Sequence, residues 1–133
     1  MKEPVWIRQD VVIAVHERLL ADHDGPSGLR DPGLLESALA RPRQILAYGD
    51  ADSGLAALAA AYAVGVVRNH PFIDGNKRIA FMTAYIFLAR NGLSLIATEA
   101  DATHAILQLA AGELQEAQFA RWLKDNTEPL SDR

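Results

Sequence analysis

Residues 61–92 read AYAVGVVRNHPFIDGNKRIAFMTAYIFLARNG. Two apolar stretches flank one polar break, His70-Pro71-Phe72-Ile73-Asp74-Gly75-Asn76-Lys77-Arg78, and each is long enough to form a buried helix. Pro71 disfavours right-handed helical geometry at the residue before it, so the first helix exits at His70. Gly75 opens the second helix, and Gly92 closes it after Asn91 as a left-handed stop. From Ile79 to Ala89 the only polar groups are the hydroxyls of Thr83 and Tyr85, which predicts a central helix. The core is thus expected to be a helical pair joined by a loop dense in ionisable groups.

Outward from this pair the chain reads as helix nearly throughout, an all-α chain of about six helices. Arg8 to Ala21 places Val12, Val15 and Leu19 on one stripe and stops at the breaker His23-Asp24-Gly25-Pro26. Asp31-Pro32 is a start signal, an N-cap carboxylate followed by a proline whose missing N–H costs nothing there. Arg41-Pro42 is expected to end that short second helix. Ser53 caps a third helix from Gly54 to about Asn69. Thr98-Glu99-Ala100-Asp101 resembles a capping box and opens a fifth helix to about Ala111. A sixth spans roughly Gln115 to Asn126, with Phe119, Trp122 and Leu123 facing inward. No repeat, linker or low-complexity tract interrupts the pattern, so residues 1–133 are expected to form a single domain.

The 133 residues are half apolar, enough to bury a core of ordinary size. Thirteen basic against seventeen acidic residues give a net charge of −4, which argues against general affinity for nucleic acid or anionic membrane. Any positive patch is local, with Arg68, Lys77 and Arg78 the candidates. The absence of cysteine excludes disulfides and thiolate metal sites and suits a reducing compartment. The residues after Met1 lack an apolar signal core. The longest apolar run, Leu55 to Val67, is shorter than the roughly 20 residues of a membrane span. A soluble, cytoplasmic protein is expected.

The polar break carries the chemistry. At the start of the second helix the amides near Gly75, Asn76, Lys77 and Arg78 lack intrahelical partners, and the helix dipole is positive there. Phosphate is the natural ligand of such a terminus. Gly75 leaves room for an oxyanion near the backbone, Arg78 can grip phosphate bidentately, and Lys77 adds a point charge. Asp74 would repel a bare phosphate, so its presence suggests magnesium, which is commonly held by one carboxylate together with nucleotide phosphates. His70 can take a proton from an attacking hydroxyl. Together these groups suggest phosphoryl or nucleotidyl transfer. A lone His before a Pro is ordinarily a helix terminator, and a Lys-Arg pair a solvated corner; it is their conjunction that points to a site.

The string resembles the H-x-F-x-[DN]-G-N-[GK]-R signature of the Fic/Doc superfamily, met at His70, Phe72, Asp74, Gly75, Asn76, Lys77 and Arg78. Asp31-Pro32-Gly33, Tyr48, the Ala-rich third helix and Phe87-Leu88-Ala89-Arg90-Asn91-Gly92 are similar to the death-on-curing (Doc) branch, so the resemblance covers most of the chain. It implies a compact Fic/Doc-type bundle with the signature loop between two central helices. The AMP-transferring Fic enzymes have glycine where this chain has Lys77, and the Doc branch has lysine. The resemblance therefore implies a toxin of a type II toxin–antitoxin system. Such a toxin is a protein kinase that moves the ATP γ-phosphate to a threonine of elongation factor Tu and so inhibits translation. The alternatives are a Fic-type AMP transferase and a catalytically silent antitoxin-binding protein.

Carried over residue by residue, the resemblance makes His70 the general base. Asp74 becomes the magnesium ligand that also helps orient the hydroxyl. Asn76, Lys77 and Arg78 become the phosphate holders, with Lys77 also catalytic, and Gly75 contributes an amide. Phe72 is structural. Many Fic enzymes carry an inhibitory [ST]-x-x-x-E-[GN] helix, and no such string occurs here; the resemblance then implies restraint by a separate antitoxin, whose C-terminal segment folds on binding. His16, His23 and His104 lack metal-ligand spacing. His16 reads as a half-buried packing residue, His23 as part of a solvated turn, and Trp6, Tyr48 and Trp122 as packing residues.

Overall fold

A computed structural model of the chain describes residues 3–21, 28–49 and 54–130. Among these residues there are six helices and two short strands. In chain order they are α1 (Gln9–Ala21), α2 (Pro32–Tyr48), α3 (Leu55–Asn69), α4 (Asn76–Arg90), β1 (Leu93–Leu95), α5 (Glu99–Ala110), α6 (Glu116–Asp125) and β2 (Thr127–Pro129). The chain is thus all-α apart from one strand pair, as its periodicity predicts. The expected breaker at residues 23–26 and the cap at Ser53 lie outside the described residues.

The innermost element is α3, because its sequence leaves no polar face. All nine residues from Leu58 to Val66 are buried, and α2, α4, α5 and α6 pack around it. By contrast α4 buries one side and leaves part of the other open although its sequence is apolar nearly all round. Ile79, Ala80, Thr83, Ala84, Phe87 and Leu88 face the core, whereas Tyr85 is exposed. The Thr83 hydroxyl is accommodated inside by donating to the Ile79 carbonyl at 2.7 Å.

Pro42 does not end α2, contrary to the sequence expectation; the helix continues six residues further, to Tyr48. An interior proline forfeits one helical hydrogen bond at a cost of about 3 kcal/mol. Tertiary contacts offset it. Pro42 is itself buried. Beside it, the Arg41 guanidinium makes a two-pronged contact with Glu116 at 2.5 and 2.8 Å and reaches the Ala61 carbonyl of α3. These contacts hold α2 to both α6 and α3 across the proline.

The starts of α2 and α5 and the end of α4 follow their signals, whereas α3 has Gly54 as N-cap and no side-chain cap bond. The Asp31 carboxylate accepts from the Leu34 amide and the Thr98 hydroxyl from the Asp101 amide, both at 3.1 Å. Gly92 has φ +89°. The strand pair was not foreseen. Leu93, Ser94 and Leu95 run antiparallel to Pro129, Glu128 and Thr127, tying the exit of α4 to the end of the chain. The Asn91 side chain adds a second tie, accepting from the Val5 amide at 2.8 Å and donating to the Val5 carbonyl at 3.0 Å.

Candidate active site

The loop between α3 and α4 begins with a backbone irregularity. His70 caps α3 at φ 52°, ψ 54°, the left-handed region. Pro71 disfavours continuation of the helix at His70, as the sequence suggests, and the residue adopts the left-handed well rather than an extended one. Several bonds hold it there. Its amide donates to the Val66 carbonyl at 3.0 Å. The Arg30 guanidinium, brought in from just before α2, donates to the carbonyls of His70 and Asn69 at 2.9 and 3.1 Å.

The segment 28–31 is then stitched along the loop. The Pro71 carbonyl accepts from the amides of Arg30 and Asp31 at 2.7 and 3.0 Å, and the Ile73 amide donates to the Gly28 carbonyl at 3.2 Å. Phe72 goes into the core, as expected of a structural residue, with 1% of its surface exposed.

Asn76 occupies the first turn of α4 and is buried. Its Oδ1 accepts from the Phe72 amide at 3.0 Å, and its Nδ2 donates to the Phe72 carbonyl at 2.8 Å. An amide N–H can only donate, so these two bonds fix which end of the side chain is oxygen. The second Nδ2 hydrogen points at His70 Nδ1, 3.1 Å away. Nδ1 is therefore an acceptor, and a neutral His70 ring carries its proton on Nε2. The Asn76 side chain is committed to the loop itself. What it leaves for an oxyanion is its backbone amide.

The remaining signature groups face solvent around a single cavity of about 500 Å³, lined by His70, Asp74, Gly75, Asn76, Lys77 and Arg78 together with Leu20, Val67 and Ala110. Gly75, at φ +79°, is the N-cap of α4, a conformation that L side chains rarely adopt. Lys77 and Arg78 are exposed and form no ion pair among the described residues. Both also border an adjoining, more apolar cleft of about 640 Å³ with Phe81, Met82 and Tyr85 of α4 and residues of α5.

Asp74 is exposed, and its Oδ1 accepts from the Gly75 amide at 2.8 Å. Its second oxygen has no partner among the described residues, so one carboxylate oxygen is available to a hydrated cation. No group of three or more acidic, His or Cys side chains surrounds it among those residues. This donor set suits magnesium completed by water and substrate phosphates, not a cation caged by protein alone.

Residues outside the signature fall into place differently. Tyr48 is 89% exposed and does not line the cavity. Trp6 stacks near Phe87, under the Arg43 guanidinium, and Trp122 stacks on Phe119. His104 is exposed on α5, and His23 lies outside the described residues. His16 is not half-buried but 1% exposed, and it packs beneath the loop. Its involvement and that of Arg30 were missed. Val12, His16 and Leu20 recur every four residues on the buried face of α1, a spacing that would have turned His16 inward.

A family model described as the Fic/DOC family matches residues 6–88. Among curated relatives, the chain is 32% identical over 120 residues to "Protein kinase doc" of Escherichia phage P1, covering 89% of this chain and 92% of that protein. It is 47% identical over 74 residues to "Toxin Doc" of Mycolicibacterium smegmatis, covering 55% and 56% respectively.

Proposed function

The chain belongs to the Fic/DOC family, and from that premise we propose that it is a Doc-type toxin, a protein kinase that transfers the γ-phosphate of ATP to a Ser/Thr hydroxyl. The observation that carries this reading is the pair Lys77 and Arg78. Without ion-pair partners among the described residues, they border the cavity that also holds His70 and the start of α4. A relative named as a protein kinase supports the choice of phosphate over AMP.

In the proposed reaction the hydroxyl oxygen bonds to the γ-phosphorus, the bond from phosphorus to the β–γ bridging oxygen breaks, and ADP leaves. The hydroxyl proton passes to His70. Its available lone pair lies on Nδ1, which Asn76 holds, so the imidazole must release Asn76 or turn about its Cβ–Cγ bond as the substrate engages. Lys77, Arg78 and the amides from Gly75 onward bind the phosphates and the charge that develops on them. Asp74 would hold magnesium, which supplies charge neutralisation at the phosphates when bound. Elongation factor Tu is the proposed target and translation the process inhibited. A cognate antitoxin is the proposed partner. No helix among the described residues is long and apolar enough to cross a membrane, in keeping with a cytoplasmic target.

The test is to supply ATP labelled at the α or the γ position, with magnesium and elongation factor Tu, in parallel. Label from the γ position alone is expected, lost in His70→Ala and Lys77→Ala. Transfer of the α label would instead make the chain an AMP transferase, and transfer of neither, with the antitoxin still bound, a silent binding protein. Expression alone should arrest bacterial growth and co-expression with the antitoxin should restore it.

A further inference from the structure

We propose that His16 is a positioning residue of the active site, holding the peptide between Asp74 and Gly75 with its N–H toward the cavity side and its C=O toward the core. Buried on α1, His16 places Nε2 2.7 Å from the Asp74 carbonyl oxygen, 58 residues away in sequence. A carbonyl can only accept, so Nε2 carries a proton and donates it. The ring lies flat on Phe72, with centroids 3.8 Å apart and planes 17° from parallel, which fixes the direction of that N–H.

The consequence follows from peptide planarity. In a trans peptide the C=O and the following N–H point in opposite directions. Binding the Asp74 carbonyl from below therefore turns the Gly75 amide outward, where it meets the exposed Asp74 carboxylate at 2.8 Å. Because Gly75 sits at φ +79° without a Cβ, this peptide has little intrinsic resistance to flipping. A flip would present a carbonyl oxygen where a phosphate is to bind and would release the Asp74 carboxylate from its hydrogen bond. His16 opposes that flip through one bond. The two residues are in contact: a Cβ on Gly75 would lie 3.4 Å from His16 Nε2.

The role of the loop in binding magnesium–ATP rests on the function proposed above, so the test has an arm independent of nucleotide. In the wild-type protein, nitrogen-15 NMR of the imidazoles should find the His16 proton on Nε2 and slow to exchange; a bare Nε2 overturns the proposal. His16→Phe keeps a flat ring against Phe72 and loses the donor, and His16→Gln restores a donor at similar reach. In His16→Phe, exchange of the Gly75 amide, which a flip would take from the Asp74 carboxylate, should accelerate and magnesium–ATP affinity should fall about 10- to 100-fold, with His16→Gln recovering most of both. Unchanged amide exchange in a folded His16→Phe, or His16→Gln behaving no better than His16→Phe, overturns the proposal. Accelerated exchange in a protein whose wild type binds no magnesium–ATP upholds the loop role and sinks the nucleotide reading.

Discussion

Replacing Asn76 with alanine separates two roles that the signature pattern cannot: phosphate ligand and strut of the loop. The side chain makes three hydrogen bonds, two to the backbone of Phe72 and one to His70 Nδ1, and is 4% exposed. At about 1 kcal/mol net for each bond, its loss costs about 3 kcal/mol. The better helix propensity of alanine returns about 0.5 kcal/mol. A net loss of about 2–3 kcal/mol corresponds to a fall in melting temperature of roughly 10 °C for a domain of this size. Urea unfolding and calorimetry, run beside magnesium–ATP titration, read both quantities. Asn76→Asp keeps an acceptor for the Phe72 amide but sets a second acceptor against the Phe72 carbonyl, and it should be no more stable than the alanine variant. If Asn76→Ala lost ATP affinity while its unfolding midpoint stayed put, the side chain would be a ligand and the strut reading would be wrong.

Two further outcomes test the packing. At Gly65 an added Cβ would lie 3.1 Å from both the Cα and the carbonyl oxygen of Ala38, a helical backbone that cannot step aside. The helix-propensity gain of about 1 kcal/mol in Gly65→Ala should then lose to an overpacking cost of about 1–3 kcal/mol; a raised melting temperature would contradict the close approach of α2 and α3. Burial lifts the Tyr62 phenol above its ordinary value of 10.0, opposed by the Ile7 amide and the Arg43 charge. The unfolded chain releases that proton first, so the stabilisation is complete below about pH 10 and is lost as pH rises beyond it. Wild-type stability should fall more steeply there than that of Tyr62→Phe, and parallel curves would exclude the effect.

What could be read in the sequence followed the range of the signal. The helices carry long periodic patterns and local caps, so α1, α3, α4, α5 and α6 end within a residue or two of their expected limits. Pro42 misled because the contacts that offset it come from Ala61 and Glu116, far along the chain. The strands are three residues each, too short for an alternation to register, and they pair across the whole of α5 and α6. The polar signature residues stood out in the sequence as a cluster, and their gathering around one cavity follows from a loop between two helices.

The geometry of those residues has a different source. A non-glycine residue in the left-handed region costs about 1–2 kcal/mol, and nothing between Asn69 and Arg78 supplies the Arg30 bonds that hold His70 there. At the other end of the loop the Asp74 peptide is oriented by His16. Both clamps come from the first thirty residues, while the groups they aim lie beyond residue 69. A transplanted nonapeptide would therefore bring the imidazole, the carboxylate and the cations without the conformation that directs them. Under the proposed function Lys77 would act beside a loop whose Gly75 amide is held outward from α1. Phosphate transfer should accordingly fall in variants of His16 and Arg30, which contribute no reacting atom, though less completely than in His70→Ala, as the γ-label assay would read.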